Sequence, residues 1–554
     1  MKPDSASHLL QQGIRAFMAG DAGQASACFE QVVREDPNNF SGWNCLGNLH
    51  VELGQNDQAL VAYGAALRLK KDAAEIHYNL AGVFQKLGRL PEAESHYGEA
   101  IRLRPAWSAA HNNLGNLFWQ EKRLAEALAA YGNAIRLQPD YPEAHYNQGI
   151  IFKETGDLAS ARDAFLRALS LRPAYSEAWN NLGLVFHLLD DLEKAIACFQ
   201  RALVLVPGDP QYHDNLGTDL VMLGHRDEGI RCYQEALRLR SDDPEFRLHY
   251  GLAVLAQGRW QLGWPFYDAR VAGKHPPLDP GVPLWNGESL KDRSILLWAE
   301  QGYGDTLMMF RYAETLADQG AAVKVLAPPA LVSLLQRGHD RIRVLPNVNA
   351  QCLEGRFDFH CPLMSLPRCL GLEPNMITVI DRYLFARPDP RPTGFLEKRL
   401  QVGLVWAGNP KFLNDRQRSL PHFKILAPLL GLPGCQFHSL SVGQRINELD
   451  GFPVDNPITA AWDFDDTAAY IQHLDLVISV DTAGAHLAGA LGKPVWILLP
   501  TPAEWRWYPY DETTPWYPSA RLFIQKQRGD WDEAISRIAM RLGNIADHKE
   551  DLNQ

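Results

Sequence analysis

Small and aromatic residues recur every 34 positions through the first half of the chain. A small residue stands at Ala25 and at each 34th position up to Gly229, and an aromatic residue follows four positions later each time, from Phe29 to Tyr233. A third series, mostly glycine, begins at Gly47, and prolines close most units. Small residues let two helices cross closely, aromatic side chains fill the space between units, and proline ends a helix. The period therefore predicts stacked helix pairs that form an α-solenoid.

The second half of the chain changes to short apolar runs that alternate with helical stretches. Such alternation is typical of parallel sheets with helices on their faces. It occurs twice, which predicts two Rossmann-like lobes. The first predicted lobe has strands at 294–299, 322–327 and 341–345 and helices at 306–319 and 329–338. The second has strands at 401–408, 436–441, 475–481 and 494–499 and helices at 423–430, 466–473 and 483–491.

These patterns predict an α + α/β chain in four parts. Residues 6–243 hold about seven repeats, and residues 244–290 hold a degraded helix pair and a connector. Residues 291–398 form the N-terminal lobe and residues 399–545 the C-terminal lobe. Ligands of parallel sheets bind at the carboxyl ends of the strands. We therefore look for functional residues in the loops that follow the strands.

Composition and charge exclude several classes of protein. The 554 residues are 46% hydrophobic and 21% charged, as in ordinary globular proteins. The net charge is −11, most of the acidic excess lies in residues 1–243, and no basic run is present. This argues against nucleic acid and anionic membranes as partners. The eight cysteines show no CxxC and no short Cys/His spacing, so we expect reduced thiols and no bound metal. No signal peptide or membrane-spanning run is recognisable, and we expect a cytoplasmic protein.

Asparagine recurs at one position in the first helix of five consecutive repeats. These residues are Asn79, Asn113, Asn147, Asn181 and Asn215. A primary amide both donates and accepts hydrogen bonds, so a column of amides on the concave face can hold an extended peptide backbone without reading its side chains. The alternative is that asparagine is simply common at this position of such repeats. The column is broken at Gln11 and Cys45, which restricts a peptide-binding ladder to the later units.

Two glycine-containing loops follow predicted strands. In residues 300–305, Gly302 and Gly304 permit a tight turn, and Asp305 stands at the start of a helix. Asp305 is therefore either a helix N-cap or part of a ligand site. Residues 481–486 lead from a strand into a helix of small residues. A helix N-terminus offers free N–H groups and the positive end of its dipole, for which a diphosphate is the natural ligand.

The sequences of these regions resemble known families. The repeat resembles the tetratricopeptide repeat (TPR). The segments VDTAGAHLAGALGKPVWILLP and EQGYGDTLMMFRY resemble the nucleotide-sugar motif and the acceptor-lobe turn of heptosyltransferase-like glycosyltransferases. The match covers about residues 285–545. The whole chain resembles bacterial TPR proteins with such a C-terminal domain. It is similar in architecture to protein O-GlcNAc transferases, whose TPR superhelix holds acceptor polypeptides on an asparagine ladder.

The resemblance implies a GT-B fold and metal-independent transfer from a nucleotide-sugar donor held in the C-terminal lobe, without a cofactor. It implies that Thr482, Ala483, Gly484 and His486 hold the donor diphosphate and that Asp305 is the candidate general base. The family pattern has glycine directly after the Asp-Thr pair, where this chain has Ala483 and then Gly484. The individual phosphate contacts of this loop therefore stay open.

Further polar candidates follow other strands of the C-terminal lobe. A leaving diphosphate needs stabilisation by cations or N–H groups when no metal is present. Lys411, Arg416 and Arg418 follow Asn409 at the end of a strand, and one of these three is expected to supply the cation. Arg418 is the preferred one; the alternative is a solvated basic loop. Ser439 ends a strand and could meet the nucleotide base or ribose, although serines are common at strand ends.

One acidic motif has two interpretations. Residues 463–465 have the D-x-D form that binds a metal–diphosphate complex in another class of glycosyltransferase. Because a helical pattern follows directly, we expect instead that Asp465 or Asp466 is a helix N-cap.

The sequence thus predicts a glycosyltransferase whose TPR arm recruits a protein acceptor. Asp305 accepts the proton of the acceptor hydroxyl, and the nucleoside diphosphate leaves toward residues 482–486 and Arg418. Two alternatives stay open: a TPR scaffold whose transferase domain has lost catalysis, and a transferase acting on lipid-linked or small glycans. The residues identify neither the base nor the sugar of the donor, nor the oligomeric state.

Overall fold

The computed structural model describes residues 3–272, 282–347, 357–390, 392–396, 398–410, 415–459 and 461–547. The chain forms two compact units that divide between Leu216 and Gly217. The first unit is helical, and the second contains helices and two parallel sheets.

The first unit is built from antiparallel helix pairs. Its helices are α1 Pro3–Met18, α2 Ala22–Glu35, α3 Phe40–Glu52, α4 Asn56–Leu69, α5 Ala74–Lys86, α6 Leu90–Leu103, α7 Ser108–Gln120, α8 Leu124–Leu137, α9 Pro142–Thr155, α10 Leu158–Leu171, α11 Ser176–Leu188, α12 Leu192–Leu205 and the start of α13 Pro210–Met222. An aspartate begins several second helices; the Asp21 carboxylate, for example, accepts a hydrogen bond of 2.9 Å from the N–H of Gln24.

The small and aromatic columns pack against each other within each pair. A Cβ added at Gly115 would lie 2.6 Å from the ring of Tyr131, and one added at Gly183 would lie 2.5 Å from the ring of Phe199. Since carbon atoms in contact are normally about 3.5–4.0 Å apart, only glycine lets these helices cross at this distance. The aromatic ring therefore fills the crossing inside its own repeat, rather than only the space between units.

The second unit begins with the last helices of the repeat pattern. They are the end of α13, α14 Arg226–Leu239, α15 Pro244–Leu255 and α16 Trp260–Tyr267. Trp260 and Trp264 are buried and pack against Trp505, with ring centroids 5.9 and 5.0 Å from it. The Tyr510 hydroxyl donates to the carbonyl of Ala256 at 2.9 Å. Helices α15 and α16 thus share one core with the loop around residue 505.

The first sheet of this unit has the strand order β3-β2-β1-β4, with every pairing parallel. Its elements are β1 Ser294–Trp298, α17 Tyr303–Asp318, β2 Ala322–Ala327, α18 Pro329–Gln336, β3 Ile342–Pro346, β4 Phe359–Pro362 and the short α19 Leu366–Cys369.

The second sheet has the order β10-β9-β8-β5-β6-β7, and its pairings are also parallel. Its elements are β5 Leu400–Val405, α20 Asp415–Arg418, α21 Ala427–Leu430, β6 Cys435–Ser439, β7 Val454–Asp455, α22 Phe464–Ile471, β8 Leu476–Val480, α23 Ala483–Ala490, β9 Val495–Leu499, β10 Ala520–Ile524 and α24 Asp532–Asp547. Strands β5 and β8 are buried along their whole length, as expected of a sheet covered on both faces.

The predicted fold class, helical repeats followed by parallel α/β structure, is confirmed. All the predicted strands are present, whereas β4, β7, β10 and α24 were not anticipated. The four domain boundaries stay predictions. In the part of the chain that the structure describes, we find no helix with the length and apolar character needed to cross a membrane.

Candidate active site

The loop after β1 differs from the sequence prediction in its backbone. Gly302 is the N-cap of α17, with φ −67° and ψ 170°, a conformation open to any residue. Neither Gly302 nor Gly304 has a positive φ, so a tight left-handed turn does not explain them. Asp305 is the third residue of the helix and makes no capping bond. The N-cap interpretation of Asp305 is therefore wrong.

Gly304 is required by a contact between the two sheets' helices. A Cβ added there would lie 2.7 Å from Cδ2 of His486 and 3.5 Å from Cα of Ala483. Helices α17 and α23 therefore meet at their N-terminal ends, and the two loops predicted from sequence, 300–305 and 481–486, lie side by side.

His486 is held rigidly at this junction. Its side chain is buried, its Nδ1 lies 2.9 Å from the hydroxyl of Tyr517, and its ring stacks on Trp507 at 5.3 Å. Burial lowers the pKa of His486 to about 4, so the imidazole is neutral at physiological pH. A neutral ring can donate one hydrogen bond and accept another, and cannot act as a cation.

Asp305 forms an ion pair that sequence reasoning missed. Its Oδ1 accepts hydrogen bonds of 2.9 Å from Nε and 2.6 Å from Nη2 of Arg506. Arg506 also donates from Nη1 to Glu504. Among the described residues, no hydrogen bond reaches Oδ2 of Asp305, which leaves that oxygen available as an acceptor.

A second acidic residue directly follows β8. Oδ1 of Asp481, the residue after β8, lies 3.9 Å from Nε2 of His486. Burial raises the pKa of Asp481, while the positive charges of Arg418 and Arg506 oppose that rise. The two arginines therefore lie within electrostatic range of one carboxyl group, although they come from different loops.

Arg418 lies at the end of α20 and is half-buried. Its Nε is buried and has no hydrogen-bond partner among the described residues. The turn that positions it is held by Ser419, whose hydroxyl donates to Asp415 at 2.9 Å and accepts from the N–H of Gly408 at 2.8 Å. A guanidinium with an unused buried N–H is a candidate for an anionic ligand.

The remaining donor-side candidates differ in their placement. The side chain of Thr482 is half-buried, with its hydroxyl 3.1 Å from that of Ser479. No described group accepts a hydrogen bond from the backbone N–H of Ala483 or Gly484. Asn409 is exposed. Ser439 is fully buried, and its hydroxyl accepts from the N–H of Ser441. Lys411 lies outside the described residues.

A buried ion pair supports the loop after β1. Oε1 of Glu300 accepts 2.7 Å from Nη2 of Arg270 and 3.2 Å from the N–H of Met364. Both side chains are almost completely buried. Burial raises the pKa of Glu300, and Arg270 opposes this rise. Arg270, which follows α16, thus anchors Glu300, and Glu300 lies five positions before Asp305.

The asparagine column forms a ladder between repeats. Asn113 and Asn181 donate to the hydroxyls of Tyr78 and Tyr146, and Asn147 and Asn215 donate to the side-chain oxygens of Asn112 and Asn180. In each case the acceptor lies 35 residues earlier, which is one position before the equivalent site in the preceding 34-residue repeat. Asn79 donates to Asn48 instead. Among the described residues, Asn79, Asn113 and Asn215 each donate one hydrogen bond inside the solenoid. Asn147 and Asn181 each donate two, the second going to Asn116 and to the carbonyl of Glu177.

The D-x-D segment has a structural role. Asp463 is the N-cap of α22 and forms a capping box with Asp466. Asp465 is buried and pairs with Arg337, and Asp466 pairs with Arg387. The N-cap is therefore Asp463, and the expectation of an N-cap at Asp465 or Asp466 is wrong. In a capping box the N-cap residue lies three positions before its partner, which here is Asp466.

Family models match both parts of the chain. Models described as tetratricopeptide repeat or TPR repeat match residues 28–61, 47–88, 74–106, 115–156, 146–210 and 215–273. The model of glycosyltransferase family 9 (heptosyltransferase) matches residues 443–521, which include residues 481–486 and Arg506 but not Asp305.

Individual proteins are similar over part of the chain. Protein FlbA of Caulobacter vibrioides is 29% identical over 338 residues, which are 53% of this chain and 54% of FlbA. The chain therefore spans about half the length of this curated relative. The structure of the APC/C hetero-tetramer Cut9-Hcn1 is 17% identical, with a TM-score of 0.37 over 43% of this chain and 47% of its own. The TPR protein YrrB is 20% identical, with a TM-score of 0.30 over 33% of this chain and 95% of its own.

Proposed function

From the joining of tetratricopeptide repeats to a segment of glycosyltransferase family 9, we propose that this protein transfers a sugar from a nucleotide-sugar donor to a protein held by its repeats. The observation that carries the proposal is the meeting of α17 and α23. It places Asp305, Arg506 and His486 within one cluster. We assign the two-lobed α/β region to the GT-B type.

The donor diphosphate would bind at the first turn of α23. The unpaired N–H groups of Ala483 and Gly484 and the positive helix end suit an anion. The unpartnered buried N–H of Arg418 supplies a cation for the charge that develops on the leaving group, without a metal ion. His486, neutral and fixed by Tyr517, would orient the donor by a hydrogen bond rather than by charge.

The acceptor hydroxyl would lose its proton to Asp305. Its unpaired Oδ2 is the atom that would accept the proton, while Oδ1 is fixed by Arg506. A positioned general base contributes about 10²–10⁴-fold to a rate. The hydroxyl would approach the carboxylate along its unpaired side.

The repeats would hold the acceptor protein through the asparagine ladder. Asn79, Asn113 and Asn215 each keep one N–H for a peptide backbone. Replacing Asn113 by alanine should weaken peptide binding. The matched control replaces its partner, Tyr78, by phenylalanine, which removes the same inter-repeat hydrogen bond but keeps the amide. Equal loss of binding in both variants would show that the asparagines are structural.

Binding of the donor is tested by a thermal-shift series with UDP, GDP, ADP and dTDP. One nucleotide should raise the melting temperature, since a ligand present at 100 times its Kd stabilises a protein by about 2.7 kcal/mol. The shift should be smaller for His486→Ala. If none of the four nucleotides raises the melting temperature, the catalytically inactive scaffold becomes the better account. We also place the protein in the cytoplasm, which cell fractionation would test.

A further inference from the structure

Arg506 occupies an unusual position for a residue outside the candidate motifs. It follows Glu504 and Trp505 in the loop between β9 and β10 and reaches across to α17. Its side chain is 12% exposed. Of its five N–H groups, three donate to Asp305 and Glu504, and the other two have no acceptor among the described residues.

The backbone of Arg506 is fixed even though its side chain has unused donors. The indole N–H of Trp516 donates to the carbonyl of Arg506 at 2.6 Å. The flanking Trp505 and Trp507 are buried, and the guanidinium lies over the ring of Trp505 at 4.9 Å. Movement of this residue is therefore confined to the far end of its side chain.

The charges around Arg506 come from both loops of the candidate site. It pairs directly with Asp305 and Glu504. It also interacts electrostatically with Asp481, which precedes the donor loop. Arg418 faces the same carboxyl groups, Asp481 and Glu504. Asp305 and Glu504 thus contact Arg506 directly, and Asp481 lies within electrostatic range of both arginines. A diphosphate would bring more negative charge than any single one of these carboxyl groups.

We propose that Arg506 is a positioning residue that couples donor binding to the candidate base. With the donor absent it is held by Asp305; when a diphosphate arrives at the first turn of α23, Arg506 shares its N–H groups with the phosphate and loosens its hold on Asp305. The carboxylate then accepts the acceptor proton only after the donor has bound. No covalent bond changes in this step.

This inference rests on the proposed function and makes an asymmetric prediction. If Asp305 and a diphosphate compete for one guanidinium, removing the charge of Asp305 should tighten nucleotide binding. Asp305→Asn should therefore bind the nucleoside diphosphate about fivefold or more tightly than the wild type. Arg506→Gln should bind it about 10- to 100-fold more weakly, as expected from loss of hydrogen bonds to a charged group. Arg506→Lys should restore part of the affinity.

The decisive variant is the double substitution, measured by calorimetric titration of the intact protein with the nucleoside diphosphate that stabilises the wild type. In the Arg506→Gln background, Asp305→Asn should no longer tighten binding. A merely structural ion pair would instead give weaker binding in both single variants. Asp305→Asn keeps the side-chain shape and leaves Arg506 paired with Glu504, so the comparison of this variant with the wild type does not require Arg506→Gln to fold.

The possible failures are distinct. If the wild type binds none of the nucleoside diphosphates, the proposed function fails, and this inference fails with it. If the wild type binds one of them but Asp305→Asn binds it no more tightly, the coupling role of Arg506 is wrong while the proposed function stands. Thermal unfolding of each variant identifies any that has lost its fold.

Discussion

The contact between Gly304 and His486 gives a sharp test of how the two helix ends meet. Gly304→Ala would place a methyl group 2.7 Å from Cδ2 of His486. That ring cannot move aside easily, because it is hydrogen-bonded to Tyr517 and stacked on Trp507. Gly302→Ala is the matched control two residues away, since its nearest atom would be 3.6 Å from the new methyl group.

The magnitude follows from the geometry. An overpacked methyl group costs about 2 kcal/mol, and a helical alanine in place of glycine returns about 0.5–1 kcal/mol. We expect Gly304→Ala to destabilise the second unit by about 1–1.5 kcal/mol. Gly302→Ala should change the stability by less than about 1 kcal/mol, because alanine is only a poorer N-cap than glycine.

Hydrogen exchange measured by mass spectrometry locates the effect. Gly304→Ala should speed exchange in peptides from α23, although the substitution lies in α17, while Gly302→Ala should leave α23 protected. Unchanged protection of α23 in Gly304→Ala would show that the two helix ends are not in contact, and the account of the site would lose its geometric basis.

Three further outcomes follow. Gly115→Ala should destabilise its repeat by about 1–3 kcal/mol, because the added methyl group clashes with Tyr131. Gly132→Ala, where no atom of the described residues would lie within 4 Å of the added methyl group, should stabilise the repeat by about 0.5–1 kcal/mol. Equal effects of the two substitutions in urea unfolding would contradict the packing account. Asp305→Ala should lower turnover by about 10²–10⁴-fold and leave a nucleotide bound, and unchanged turnover would remove Asp305 from the mechanism. Burial lowers the pKa of both His438 and His486 to about 4. Between about pH 6.5 and pH 4 the unfolded chain therefore binds protons at these histidines that the folded chain does not. The free energy of unfolding should fall over this range by about 3 kcal/mol per histidine. His438→Gln should reduce that loss in unfolding measured at pH 7 and pH 4.5, and an identical loss would refute this reading.

The repeat array could be predicted from the sequence because its signal is local and repeated. Gly115 and Tyr131 lie sixteen positions apart, and the same pair returns in the other units. Helix α24 could also have been predicted from the sequence, because its buried residues Ala534, Ile535, Ile538 and Leu542 recur at helical spacing. The two-residue strand β7 carries too little pattern to be recognised.

The site could be predicted only in part. The strand–loop–helix motifs placed residues 300–305 and 481–486 at strand ends, but the contact of Gly304 with His486 joins positions far apart in the chain and leaves no local trace. Arg506 did carry a signal. A single arginine between two tryptophans in an aromatic loop would need a charged partner when buried. The identity of that partner, Asp305, depends on the packing of the two sheets.

The central claim is transfer of a sugar from a nucleotide to a protein. The most direct measurement incubates the purified protein with radiolabelled nucleotide sugars and cell lysate, beside the Asp305→Ala variant. We predict label in protein bands for the wild type and about 10²–10⁴-fold less for the variant. Label in a glycolipid fraction would contradict the protein acceptor, and no transfer from any donor would contradict the claim that this protein is a glycosyltransferase.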